Sequence, residues 1–251
     1  MSMAGPWIVP EWDAPANVGA AVSTRLGPGR SAPPYDRLNL GSRSGDDPAT
    51  VAANRDALAL ALDLPAPPLW LRQVHGTDVA DATDSVAVSG GEPVADAAVA
   101  RGPGKVLAIL TADCLPVLFA SADGATIAAA HAGWRGLAAG VLGNTVTRMG
   151  VPPESLVAWL GPAIGGASYE VGAEVRAAFV ERDRMAEAAF VPTRPGHWNC
   201  DLYVLARRKL AAAGVTRISG GGFDTFRDER LYSYRRDGAA SGRFASLIWT
   251  R

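Results

Sequence analysis

The stretch 105–137, KVLAILTADCLPVLFASADGATIAAAHAGWRGL, holds three short apolar runs, VLAIL, LPVLFA and TIAAAH, separated by TADC and SADGA. Runs of this length between turn-forming residues read as adjacent strands of a sheet buried on both faces, because no polar position alternates with the apolar ones. After His131 the pattern changes. WRGLAAGVLGNTVTRM (134–149) has helical spacing and many small residues, so the chain passes from strand to helix through the turn Ala132-Gly133. Such a turn brings helix N-terminal amides beside His131.

Working outward, ANVGAAVSTR (16–25) reads as a strand ending on Arg25, followed by a Gly/Pro-rich loop. GDDPATVAANRDALALALDL (45–64) reads as a helix with acidic residues and Pro48 at its start. LWLRQVHG (69–76) reads as a strand delivering His75 to its end, and LVAWLGPAIGG (156–166) as a strand and a Gly-rich loop. EVGAEVRAAFVER (170–182) and DLYVLARRKLAAAG (201–214) are amphipathic helices, LYSYRRDGAASGRF (231–244) a solvated hairpin, and RFASLIWT (243–250) a closing strand. Strands and helices interleave without a strict repeat and no linker interrupts them. The expected class is therefore α+β, a single domain over 1–251 with mixed β-sheets flanked by helices.

The 251 residues carry a formal net charge of -1, with 48% hydrophobic and 20% charged residues, so nothing global draws the chain to nucleic acid or to an anionic membrane. The N-terminus MSMAGPWIVPEW lacks a basic region followed by a long apolar run, and a cytoplasmic location is expected. Nothing in the residues speaks to oligomeric state. Two cysteines make no disulfide framework.

The chain has three histidines, so any site built from imidazoles is nearly decided by inventory. His75, Cys114 and His131 each stand at an expected strand end next to Gly or Asp, where backbone can approach a ligand closely. Two imidazoles and one thiolate with a fourth position open are the donor set of a catalytic zinc site. The same residues also make a thiol nucleophile, Cys114, with His131 as its base, and that alternative stays open. Three histidines are too few for a multicopper centre. Arg25, Arg72 and Arg135 offer planar donors for a phosphate or carboxylate. His197 and Cys200 read as loop and cap residues, and GGG (220–222) is no phosphate loop because no Lys-Ser/Thr follows.

Taken together, RQVHG, TADCLPVLF, AAHAGWRG, LGPAIGGASYEVG and SYRRDG..SGRFASLIW resemble the laccase-domain family, also called the multicopper polyphenol oxidase or peptidoglycan-editing-factor family, whose members are described as purine nucleoside phosphorylases. The resemblance runs from about STR (23–25) to the C-terminus, with LNLG and GDDP matching as well. It implies a mixed-sheet domain with a zinc site at His75, Cys114 and His131, copper being less expected. It implies purine nucleoside and phosphate as partners: phosphorolysis of adenosine, inosine, guanosine or methylthioadenosine, with adenosine deamination as a second activity. On that reading Arg25, Arg72 and Arg135 border the phosphate, Asp113 or His75 protonates the leaving purine, and Gly165 lies against substrate. The chain departs from the family at IGGASYEVG (164–172) and at Asp224 to Phe226, where relatives often carry cysteines. A cysteine hydrolase or deamidase, a copper-dependent polyphenol oxidase and a non-catalytic binding domain are the competing readings.

Overall fold

The computed structural model describes residues 5–83 and 91–251. In chain order the strands are β1 (Trp7–Ile8), β2 (Val18–Ser23), β3 (Val79–Asp81), β4 (Ala97–Arg101), β5 (Val106–Thr111), β6 (Leu115–Ser121), β7 (Thr126–Ala132), β8 (Leu156–Leu160), β9 (Glu170–Gly172), β10 (Phe190–Pro192), β11 (His197–Cys200), β12 (Arg217–Gly220) and β13 (Phe244–Thr250). The helices are α1 (Pro48–Ala61), α2 (Trp134–Ala139), α3 (Val141–Met149), α4 (Ala173–Val180), α5 (Leu202–Ala212) and α6 (Tyr234–Asp237).

Three sheets organise these elements. A six-stranded mixed sheet has the order β12-β8-β6-β7-β4-β3, a four-stranded antiparallel sheet the order β1-β2-β13-β5, and β10-β11-β9 form a small third sheet. The apolar runs at 106–132 became β5, β6 and β7, and every residue of β6 and β7 is buried. Their alternation sorts the side chains into two layers. Leu115, Val117 and Phe119 of β6 and Ala128, Ala130 and Ala132 of β7 pack with Val141, Leu142 and Val146 of α3. Leu118, Ala120, Ile127 and Ala129 pack instead with Leu107, Ile109 and Ile248 of the four-stranded sheet. The small alanines of β7 let the helices lie close to the sheet. The far face of the four-stranded sheet is closed by a third cluster in which Leu58 of α1 joins Ala108, Leu247 and Trp249. The architecture is α+β, as expected, in four layers: helices, mixed sheet, antiparallel sheet, helix.

Helix α1 starts where expected, with Asp47 accepting from the Thr50 amide and Pro48 in the first turn. Five local expectations give way, the first at Glu170–Gly172, read as the start of a helix but forming β9, so that α4 begins at Ala173. Residues 69–76 form only isolated bridges, Leu69 to Leu107 and Arg72 to Val94, and no continuous strand. There the Gln73 side-chain amide, not its backbone, pairs with Leu110 (2.8 and 2.9 Å), and the next amides turn away to Asp96. The helix over 134–149 is broken into α2 and α3 by Gly140, at φ 107°, a conformation that costs a residue with a β-carbon. The segment 231–244 is no hairpin: Ser233 caps α6 through the Arg236 amide, and the Arg236 guanidinium donates to the carbonyls of Thr225, Phe226 and Leu231. His197 and Cys200 lie in strand β11, which pairs with β10 and β9, and not in a loop.

Phe119 is fully buried at the centre of β6, where helices and sheet meet. Phe119→Ala should cost about 3–5 kcal/mol of stability, read from chemical denaturation. A change below about 1 kcal/mol would mean that the layer contact does not organise the core.

Candidate metal centre

The alternation of β6 and β7 places the functional side chains. Residues 115, 117 and 119 face the helices, so Cys114, one position earlier, falls on the side of the antiparallel sheet. His131 lies on that same side of β7, with Ile127 and Ala129. Asp96 immediately precedes β4, whose Ala98 and Ala100 also face the antiparallel sheet. One end of the seam between the two sheets thus collects Cys114, His131 and Asp96. His75 arrives from the irregular segment beside it, and the ligand atoms of His75, Cys114 and His131 all lie within 4.8 Å of one another. The Cys114 sulfur is 3.7 Å from Nε2 of His75, and the two imidazole rings meet edge to face with centroids 4.8 Å apart.

Asp96 holds this group together. Its carboxylate has no solvent exposure and accepts four hydrogen bonds: from the amides of Val74 (3.1 Å), His75 (2.9 Å) and Gly76 (2.7 Å), and from Nδ1 of His131 (2.8 Å). The Asp96 carbonyl takes the His131 amide as well. Because Nδ1 faces the carboxylate, His131 presents Nε2 to the cluster, the carboxylate–histidine arrangement common beneath metal ions. The amides also stabilise the backbone of His75, which sits at φ 62°, in the left-handed region. Asp113, the residue before Cys114, is at φ 93° and is held similarly: its two oxygens accept from the Thr225 hydroxyl (2.5 Å) and the Arg235 amide (2.6 Å).

The charges reinforce one another. Burial works to raise the Asp96 carboxyl, but the hydrogen bonds from His131, Gly76 and Val74 outweigh it and bring the pKa to about 2. Burial likewise opposes the Cys114 thiolate, yet the charge and hydrogen bond of His131, then those of His75, lower its pKa to about 6. Burial disfavours the His131 cation, while Cys114 and Asp96 raise its pKa to about 9. A thiol poised to ionise beside two imidazoles, one of them oriented from behind, fits a borderline metal ion such as zinc. Cys200 is the contrast, because burial pushes its thiol up to about 12.

Close packing of backbone makes the group possible. A β-carbon at Gly133 would lie 2.9 Å from the Cys114 sulfur and 2.9 Å from Cδ2 of His75, and one at Gly136 would lie 2.8 Å from the Gly76 carbonyl oxygen. Helix α2 can therefore start directly over the cluster only with glycine at both places.

The cluster opens into a cavity of about 600 Å³, bordered among others by Gln73, Thr111, Asp113, Trp134, Tyr169 and Arg243. Arg135 also lines it, stacked on the Trp134 ring at 4.4 Å. Arg25 does not line it, being tied to Asp36 (3.3 Å) and lying over the Tyr232 ring. Arg72 is exposed and outside the lining. Gly165 lies against the Asp224 carboxylate, to which its amide donates, while its neighbour Ile164 reaches the cavity. His197, whose ring meets the Pro195 carbonyl, and Cys200 are outside the lining. Reading the sequence missed Asp96, although an acidic residue inside the apolar run PVADAAVA (93–100) is a visible signal of a buried, satisfied charge.

Residues 19–251 match the family model described as multi-copper polyphenol oxidoreductase laccase, and the chain belongs to that family. It is 54% identical over 252 residues to a protein of Xylella fastidiosa (strain 9a5c) named purine nucleoside phosphorylase, covering 97% of this chain and 96% of that one. It is 51% identical over 247 residues to purine nucleoside phosphorylase YfiH of Escherichia coli (strain K12), covering 96% and 98%. Among solved structures it resembles the Neisseria meningitidis protein NMB0706, with a TM-score of 0.92, 44% identity and coverage of 98% and 99%. YlmD from Geobacillus stearothermophilus superposes with a TM-score of 0.90 at 32% identity, covering 100% and 98%. Among the described residues no helix is long and apolar enough to cross a membrane.

Asp96→Asn keeps the shape but not the charge, and it should weaken metal binding by about tenfold to a hundredfold in a chelator competition titration. Unchanged affinity would remove Asp96 from the support of the cluster. Gly133→Ala should lower metal binding more than it lowers the melting temperature, since its new methyl group meets two donor residues. A large loss of Tm with metal affinity intact would contradict that.

Proposed function

We propose that the protein is a zinc-dependent purine nucleoside phosphorylase acting on adenosine, inosine, guanosine or methylthioadenosine in the cytoplasm. The observation that carries this reading is the His75, Cys114 and His131 cluster at the base of an arginine-bordered cavity. The names of the relatives and the length over which they align support it. The ion would be held by those three side chains and would supply Lewis acidity toward a substrate oxygen at its remaining position. In phosphorolysis a phosphate oxygen forms a bond to the anomeric carbon of the ribose as the glycosidic C–N bond breaks. The products are ribose 1-phosphate and the purine, which takes up a proton.

This chain's residues supply position and charge. Asp96 fixes the direction of His131, Arg135 adds a cation to the lining, and Asp113, by holding the Arg235 amide, keeps α6 against the cavity. A family name that speaks of many coppers meets a chain with three histidines, only two of them in the cluster, too few imidazoles for several copper centres. The lowered pKa of Cys114 favours one second reading, a hydrolase with Cys114 as nucleophile and His131 as base. Metal and nucleophile compete for the same sulfur, so one measurement separates them.

Purified protein incubated with inosine should release hypoxanthine and ribose 1-phosphate only when phosphate is present. Phosphate-independent turnover of adenosine to inosine would assign deamination instead. Cys114→Ala, His75→Ala and His131→Ala should each lose bound zinc and, on the order of a hundredfold or more, activity. Full activity after metal removal, with Cys114 open to thiol reagents, would transfer the site to the hydrolase reading. Zinc retention should fall as pH is lowered, because protons compete for His131 below about 9 and also for the Cys114 sulfur below about 6. Retention independent of pH across that range would argue against thiolate ligation.

A further inference from the structure

The cavity carries a charge pattern that the metal cluster does not explain. In a chain of net charge -1, its lining includes Arg43, Arg135, Arg235 and Arg243 against a single carboxylate among the described residues, Asp113. Arg43 is paired with Glu92 at 2.6 Å. The other three have no carboxylate partner among the described residues. Arg135 stacks on Trp134, and Arg235 stacks on Tyr169 while donating to the Glu170 carbonyl.

Arg243, which lies over the Tyr234 ring at 6.0 Å, is set apart by the loop that seats it. Both hydrogen bonds of its guanidinium come from Nη1, to the carbonyls of Ser241 (2.6 Å) and Gly242 (2.8 Å). Its Nε and Nη2 have no partner among the described residues. Those two N–H groups form the side-on fork that matches two oxygens of a phosphate.

The fork is also held in place. The Arg243 amide donates to Oδ1 of Asn39 (2.9 Å), and its carbonyl accepts from the Leu40 amide (3.0 Å). A β-carbon at Gly41 would lie 2.7 Å from Cγ of Arg243, so the arginine stem passes over bare backbone. LNLG (38–41) and SGRF (241–244) thus form one device, a loop that seats an arginine. Burial pushes the guanidinium below its usual range, and the charges of Cys114 and Asp113 oppose that shift from across the same cavity.

We propose that the Nε/Nη2 edge of Arg243 binds the phosphate co-substrate, with Arg235 and Arg135 adding positive potential around it. The proposal rests on the phosphorylase reading and assigns to Arg243 the role that the sequence offered to Arg25 and Arg72. The phosphate monoester of a nucleotide presents the same oxygens, so inorganic phosphate and inosine 5′-monophosphate are tested separately.

The decisive variant is Arg243→Lys, which keeps the charge and loses the fork; Arg243→Gln serves as a second variant, and melting temperature and metal content are recorded for both. The KM for phosphate should rise about tenfold to a hundredfold while the KM for inosine stays within about twofold. Direct titration of the metal-loaded protein with inorganic phosphate should show the same loss of affinity without any nucleoside. That second measurement separates the two claims: phosphate binding that depends on Arg243 in a protein with no phosphorolysis would retain the subsite and reject the reaction. An unchanged phosphate KM and affinity in both folded variants would overturn the proposal. So would a loss confined to inosine 5′-monophosphate, or a rise in the KM for inosine alone.

Discussion

A buried carboxylate must be paid for by hydrogen bonds, and the site of this protein is built around one that is. Asp96, with no exposure to solvent, accepts from three successive amides and an imidazole. Without such partners a charge at that depth would be neutralised or excluded. Satisfying it forces residues 74–76 to turn toward β4, holds His75 in a left-handed conformation and aims His131 with Nδ1 inward. The position of both histidines is therefore a consequence of solvating one anion with protein groups.

The layers decide where this can happen. Between the mixed and antiparallel sheets the seam is filled by aliphatic and aromatic side chains, and at its end it opens into the cavity. There Cys114 precedes β6 and His131 comes near the end of β7, so neighbouring antiparallel strands deliver the beginning of one and the end of the other to the same edge. Glycine at 133 and 136 then lets α2 close over the edge without touching the donors. Rigid sheets carry the thiol and one imidazole, while a short irregular segment carries the other.

The lining of the cavity is also electrostatic in character. Arg243, Arg235 and Arg135 are held by carbonyls, aromatic faces and backbone, with no carboxylate ion-pair partner among the described residues. One cavity thus brings a thiol and two imidazoles together with guanidinium groups. The family description in terms of copper gives no account of those arginines.

The sequence by itself carried the central strands and the candidate donors. The apolar runs at 106–132 read as buried strands, and a chain with three histidines and two cysteines pointed to His75, Cys114 and His131 as the candidate donor set. These are statements about local pattern and inventory, which the chain carries at every position. Partnerships across long sequence separations were decided by the tertiary structure. Asp96 reads as one polar residue in an apolar run until the fold brings it to His131 and the 74–76 amides. The end of 69–76 reads as strand until the Gln73 side chain takes the place of its backbone. Arg25 and Arg72 look as available as Arg243, and only folding pairs the first with Asp36, leaves the second outside the cavity and leaves the Nε/Nη2 edge of the third without a partner among the described residues. Residue type limits what a side chain can do, but which of its hydrogen-bonding edges remains unsatisfied depends on neighbours distant in sequence.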